Sequence, residues 1–118
     1  MVHRAHNRIR IPFEIKGRNY EAVGFMNKGE SPVNGDEMLR RIASENGGLI
    51  GKDDSAFIAK YRRQLPKKLQ QYLLVTNYED YYQPCVSCLS WSGHWIKCLR
   101  WFNDRYWDDN SLVVRRCA

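Results

Sequence analysis

Four cysteines and three histidines are the residues of this chain best suited to hold a metal or attack a substrate. Cys85-x-x-Cys88, with His94 or Cys98 close behind, supplies the atom types of a tetrahedral zinc site. The spacing works against it. Residues three apart in a strand point to opposite faces, so a zinc site here needs a tight knuckle. Pro84 is only a weak sign of one. The expectation is therefore packed, reduced thiols and no cofactor. A zinc-stabilised domain on Cys85, Cys88, His94 and Cys98 is the weaker alternative.

Other chemical patterns fare no better. Gly47-Gly48-Leu49-Ile50-Gly51-Lys52 has the outline of a phosphate-binding loop. Its glycine spacing is one residue short, and Asp53 stands where a magnesium-binding hydroxyl belongs. A helix also precedes it where a strand should. Glu14-x-Lys16 has the residue types that end some metal-dependent nuclease signatures, but no strand carrying a partner aspartate comes before it. Asp104, Asp108 and Asp109 read as a solvated loop. His3 and His6 sit near the terminus and His94 in a turn, so no titratable pair is placed in a common pocket. A non-catalytic protein is expected.

Charge and aromatic content point elsewhere. The net charge is +6, and it is uneven: residues 1–20 carry +4, 21–60 carry −2, 61–75 carry +4 and 76–118 carry none. The second basic block is Arg62, Arg63, Lys67 and Lys68, with no acid among them. Ten of the fifteen aromatic residues lie at or after Tyr72. Cations beside aromatic rings suit single-stranded nucleic acid, whose phosphates attract charge and whose bases stack. The same aromatics could form the core of a small domain. No RNP-type, KH-type or helix-turn-helix pattern is present.

The elements that must position these residues follow from periodicity. Ile9, Ile11, Phe13 and Ile15 alternate with polar residues, which predicts a strand. Pro12 lacks an N–H, so that strand belongs at an edge. Lys16-Gly17-Arg18-Asn19 is a turn signal, and Tyr20 to Met26 the returning strand. Asn34, followed three positions later by Glu37, predicts a helix over 35–46, stapled by Val33 and Met38 and closed at Gly47-Gly48. Asp53 or Asp54 is expected to cap a second helix carrying Phe57, Ile58, Tyr61 and Leu65 on one stripe and ending at Pro66. Lys67 to Gln71 can add one short turn. Tyr72 to Thr76 reads as a strand, and Asn77 to Pro84 as a loop bearing Tyr78, Tyr81 and Tyr82. Strands at Cys85–Trp91, Trp95–Phe102 and Ser111–Arg116 complete the chain.

The hairpin around Ser92-Gly93-His94 allows two registers. A two-residue turn sets Trp91 opposite His94. A three-residue loop sets Trp91 opposite Trp95 and Cys88 opposite Cys98. The second separates Leu89, Trp91, Trp95, Leu99 and Trp101 from the smaller, mixed residues, which favours it. Turn chemistry favours the first, because a three-residue loop usually ends on glycine.

The expected fold is α+β: one small domain over 1–118, with 1–7 mobile. An antiparallel sheet has two helices inserted between an N-terminal hairpin and a C-terminal tryptophan-rich meander, in the order ββααββββ. No apolar run is long enough to span a bilayer and no secretory leader is seen, so a cytoplasmic, membrane-free protein is expected. The functional expectation is a small basic binding module for nucleic acid. The alternative is a protein-interaction module or small inhibitor. The candidate contacts are Arg62, Arg63, Lys67, Lys68, Tyr78, Tyr81, Tyr82, Tyr106 and Trp107.

Overall fold

The computed structural model describes residues 9–26, 30, 32–44, 50–80, 84–101 and 106–117, without the side chains of 79, 80, 84, 101 and 106. Of the sequence expectations, the mobile 1–7 segment, the Gly47-Gly48 helix stop and the candidates Tyr81 and Tyr82 lie outside these residues.

The first hairpin pairs β1 (Arg10–Ile15) with β2 (Arg18–Val23). Its turn is two residues, Lys16 and Gly17, at φ +48° and +83°. Positive φ at both positions matches the twist of the flanking strands. Arg18 and Asn19, expected in the turn, are already paired. The short strand β3 (Val33–Asn34) leads into helix α1 (Gly35–Ala43). The Asn34 side chain accepts the Glu37 backbone N–H at 2.9 Å, as the capping pattern predicts. Val33 and Met38 join one apolar cluster, and Ser44 caps the C-terminus.

Helix α2 (Lys52–Lys60) is capped by Gly51 and not by Asp53 or Asp54. Asp54 has a different task. Its carboxylate accepts the buried Tyr20 hydroxyl at 2.7 Å and meets Arg18 at 3.1 Å and Arg116 at 3.4 Å. The first turn of α2 is thereby tied to the sheet. After α2 the chain makes two 3₁₀ turns, Arg62–Gln64 and Lys67–Leu69, with Pro66 between them.

Strand β4 spans Leu73–Asp80 and β5 spans Pro84–Trp91. Residues 77–80, expected in a loop, continue β4. A bulge between Val75 and Asn77 shifts the register, after which Asn77 faces Ser87 and Tyr78 faces Val86. The bulge disturbs the period-two pattern that would reveal the strand. The Thr76 hydroxyl is held there, 2.8 Å from Ser55 Oγ and donating to the Ser87 carbonyl at 3.2 Å.

Strand β6 (Trp95–Trp101) returns on β5 with Trp91 opposite Trp95 and Cys88 opposite Cys98. The three-residue loop is therefore correct. Its reversal centres on Gly93 at φ +77°, with the Ser92 N–H donating to the His94 carbonyl at 3.0 Å. Glycine belongs in the middle because the turn is tighter than the usual three-residue form. Strand β7 (Tyr106–Trp107) pairs with β3, a contact the sequence did not signal. Strand β8 (Ser111–Arg116) enters the centre of the sheet, antiparallel to β2 and parallel to β4.

The sheet order is β1-β2-β8-β4-β5-β6. Pro12 lies on the β1 edge, as expected. Alternate residues feed two cores. Tyr20, Ala22, Leu112, Val114, Leu74, Leu89 and Trp95 pack with Ile58 of α2. Val23, Val113, Val75, Val86 and Cys88 pack with Met38 and Ile42 of α1. The result is one α+β domain with a helix on each sheet face. No helix among the described residues is long and apolar enough to cross a membrane.

Candidate functional site

The basic segment after α2 is held by its own apolar residues. Leu65 and Leu69 are buried in the α2-side core, while Arg63 before them and Lys67 and Lys68 between them are exposed. Arg62 is the anchor. Its Nε donates to the Trp95 carbonyl at 3.0 Å and its Nη1 to the Ala59 carbonyl at 2.5 Å. One guanidinium thus joins the end of α2 to the start of β6. The rest of the segment runs to the other side of the hairpin tip. There Gln70, Gln71 and Tyr72 share a cavity of about 310 Å³ with Ser90, Trp91 and Arg100.

Trp91 sits at this junction and keeps 37 % of its surface. Its ring stands edge-on to the buried Trp95, centroids 5.6 Å apart at 68°. The pair divides the work: Trp95 is buried at the hairpin tip and Trp91 stays exposed. The register sets both on one strand face, and of the two only Trp95 is buried.

Charge pairing sharpens the picture. Glu21 holds Arg10 and Arg115, Glu37 holds Arg40 and Arg41, and Asp54 holds Arg18 and Arg116. Arg41, buried under α1, also pairs with Glu30 and donates to the Phe25 carbonyl at 2.9 Å. By contrast, Lys60, Arg63, Lys67, Lys68 and Lys97 have no carboxylate partner among the described residues. Positive potential is left over on the α2 and hairpin-tip side, where it can act on an anionic partner.

The remaining candidates do not join this patch. Tyr78 is 38 % exposed but lies five residues along β4 from Leu73, roughly 17 Å at about 3.3 Å per residue. Trp107 is 3 % exposed and packs in the α1-side core, so its expected role as a surface contact is corrected. The β3–β7 pairing, which sets Val33 opposite Trp107, carries it inward. Of Tyr106 only the strand position is described.

The zinc set is not assembled. Cys85 shares a strand face with Ser87 and Leu89, on the α2 side, whereas Cys88 and Cys98 face α1. His94 is exposed at the hairpin tip. Among the described residues no group of three His, Cys, Asp or Glu side chains converges.

Two features had little or no sequence signal. A groove of about 610 Å³ runs between α2 and the sheet, with Lys52 and Lys97 at its walls and Leu89, Leu99 and Ala56 along it. On the opposite face, Cys98 is the cross-strand partner of Cys88, with Arg100 two residues on along the same strand. The Cys88 contact, aided by the Arg100 charge and outweighing burial, brings the Cys98 thiol down to about 6. The register placed Cys88 and Cys98 together. The arginine two residues on was the unread half of that signal. Comparison with family models, with curated proteins and with solved structures found no match.

Proposed function

We propose that the protein is a non-catalytic module that binds single-stranded nucleic acid across the segment 62–68 and the hairpin tip. The observation that carries this reading is the Arg62 bridge to the Trp95 carbonyl. It ties the segment that carries Arg63, Lys67 and Lys68, exposed and without carboxylate partners among the described residues, to the hairpin tip, where the exposed Trp91 pairs with Trp95. Phosphates would meet Arg63, Lys67 and Lys68, and a base would stack on Trp91. Base–aromatic stacking contributes about 1–3 kcal/mol per base and tolerates any sequence. The test is fluorescence anisotropy with short labelled RNA and DNA at low salt. Arg63, Lys67 and Lys68 changed together to glutamate should abolish binding, and Trp91→Ala should weaken it roughly fivefold or more. Failure of the native protein to bind either polymer refutes the reading.

One observation favours a second reading. Strand β6 is the free edge of the sheet opposite β1, and it exposes Ile96 (39 %) and Leu99 (44 %) on its two faces. An open edge with apolar residues can accept an extended segment of another protein. In that case Ile96→Lys and Leu99→Lys would remove partner binding while leaving the folded domain intact.

A further inference from the structure

We infer that Cys98 and Cys88 form a hydroperoxide-reactive thiol pair on the α1-side face of the β5–β6 hairpin, with Cys98 the attacking sulfur and Cys88 the resolving one. The two residues are direct cross-strand partners. Neither is in a disulfide in the structure. Cys98 is half-buried and Cys88 fully buried, so a small oxidant meets Cys98 first.

The surroundings are those a nucleophilic sulfur needs. Arg100 lies two residues along the same strand and therefore on the same face. Ser90 lies two residues from Cys88 in the other direction, also on that face. Both favour the thiolate form of Cys98. The Arg100 Nε is buried and has no hydrogen-bond partner among the described residues, which is a costly state for a cationic group. Ser90 and Arg100 also line the 310 Å³ cavity at the hairpin tip, which is large enough to admit a peroxide. Cation, hydroxyl donor, thiolate and second thiol are thus within one small volume.

The chemistry balances in two steps. The Cys98 thiolate attacks one peroxide oxygen; the S–O bond forms as the O–O bond breaks, and the other oxygen leaves as hydroxide or alkoxide. Sulfur loses two electrons and the peroxide gains them. The leaving oxygen is anionic, and Arg100 is placed to donate to it. The Cys88 thiol then attacks the Cys98 sulfenic acid, the S–S bond forms and water departs with the Cys88 proton. Cys85 is buried on the other face, and burial, with Glu21 nearby, pushes the Cys117 thiol up.

The experiment is a timed exposure of the native protein to hydrogen peroxide, read by intact mass and peptide mapping. The expected product is a Cys88–Cys98 disulfide. Cys88→Ser should instead accumulate sulfenic acid at Cys98, trapped by a dimedone-type reagent. Cys98→Ser should yield neither product. Arg100→Gln should slow the reaction about tenfold, while Arg100→Lys, which keeps the charge, should retain most of the rate. Alkylation of Cys98 in the native protein, located by peptide mapping and followed against pH, supplies an independent readout, with a midpoint well below the ordinary thiol value of about 8.5. Oxidation that appears first at Cys85 or Cys117, or an Arg100→Gln variant as fast as the native chain, overturns the inference. Neither outcome bears on nucleic-acid binding.

Discussion

Replacing Asp54 by alanine should cost more than any other single change at the surface of α2. The Tyr20 hydroxyl, 2.7 Å from the carboxylate, belongs to a fully buried residue. Without Asp54 that hydroxyl loses its acceptor and stays out of water. A hydrogen bond to a charged group is worth about 1.5–3 kcal/mol, and an orphaned buried donor costs about 1–3 kcal/mol. Arg18 and Arg116 are substantially solvated, so their screened contacts add little. The expected loss is about 2–3 kcal/mol. Urea unfolding should show it as a midpoint lower by roughly 1–2 M at an unchanged slope. Tyr20→Phe alone should cost about 1 kcal/mol, because it removes donor and acceptor demand together. The double variant should then be no worse than Asp54→Ala, since phenylalanine leaves no orphan. The reasoning fails if Asp54→Ala lies within about 0.5 kcal/mol of the native chain, or if the two effects simply add.

Further outcomes follow from other contacts. Contacts with Arg40 and then Arg41 pull Glu37 down to about 2 from an ordinary 4.5. A carboxylate depressed in the folded state stabilises above its unfolded value and loses that contribution as pH falls through the folded one. Acid unfolding between about pH 4.5 and 2 should therefore be shallower in Glu37→Gln. Burial and then the Asp54 contact raise Tyr20 above its ordinary 10, so its contribution is full below that value and is lost as pH rises past it. The native chain should weaken above about pH 10, and Tyr20→Phe should remove that part of the loss. Gly17→Ala should cost about 1 kcal/mol in thermal unfolding through backbone strain alone, since φ is +83° and nothing lies within 4 Å of an added Cβ. Gly17→Asn, which tolerates positive φ, should recover most of it.

Much of this architecture could be read from residue order. Asn34 before Glu37 marked the start of α1, Pro12 the sheet edge, and the sorting of large from mixed side chains the β5–β6 register. What stayed hidden depends on contacts across the fold. The bulge at Thr76 breaks alternation, so the second half of β4 looked like a loop. Asp54 resembled a cap because the donors it accepts from are residues 20, 18 and 116, far away in sequence. Trp107 looked exposed because nothing local announces that Val33 will pair with it. For the candidate site, composition supplied the basic block, but its neighbour, Trp91, became visible only once Arg62 had been traced to the Trp95 carbonyl.

The central claim is that the cations at 63, 67 and 68 meet phosphates beside Trp91. The slope of log binding constant against log salt concentration counts those contacts directly. Each phosphate on a single strand contributes about −0.7, so three contacts predict a slope of roughly −2. Arg63→Ala, Lys67→Ala and Lys68→Ala should each reduce it by about 0.7, and the triple variant should bring it close to zero. A salt-independent affinity in the native protein, or an undiminished slope in the triple variant, would contradict the account.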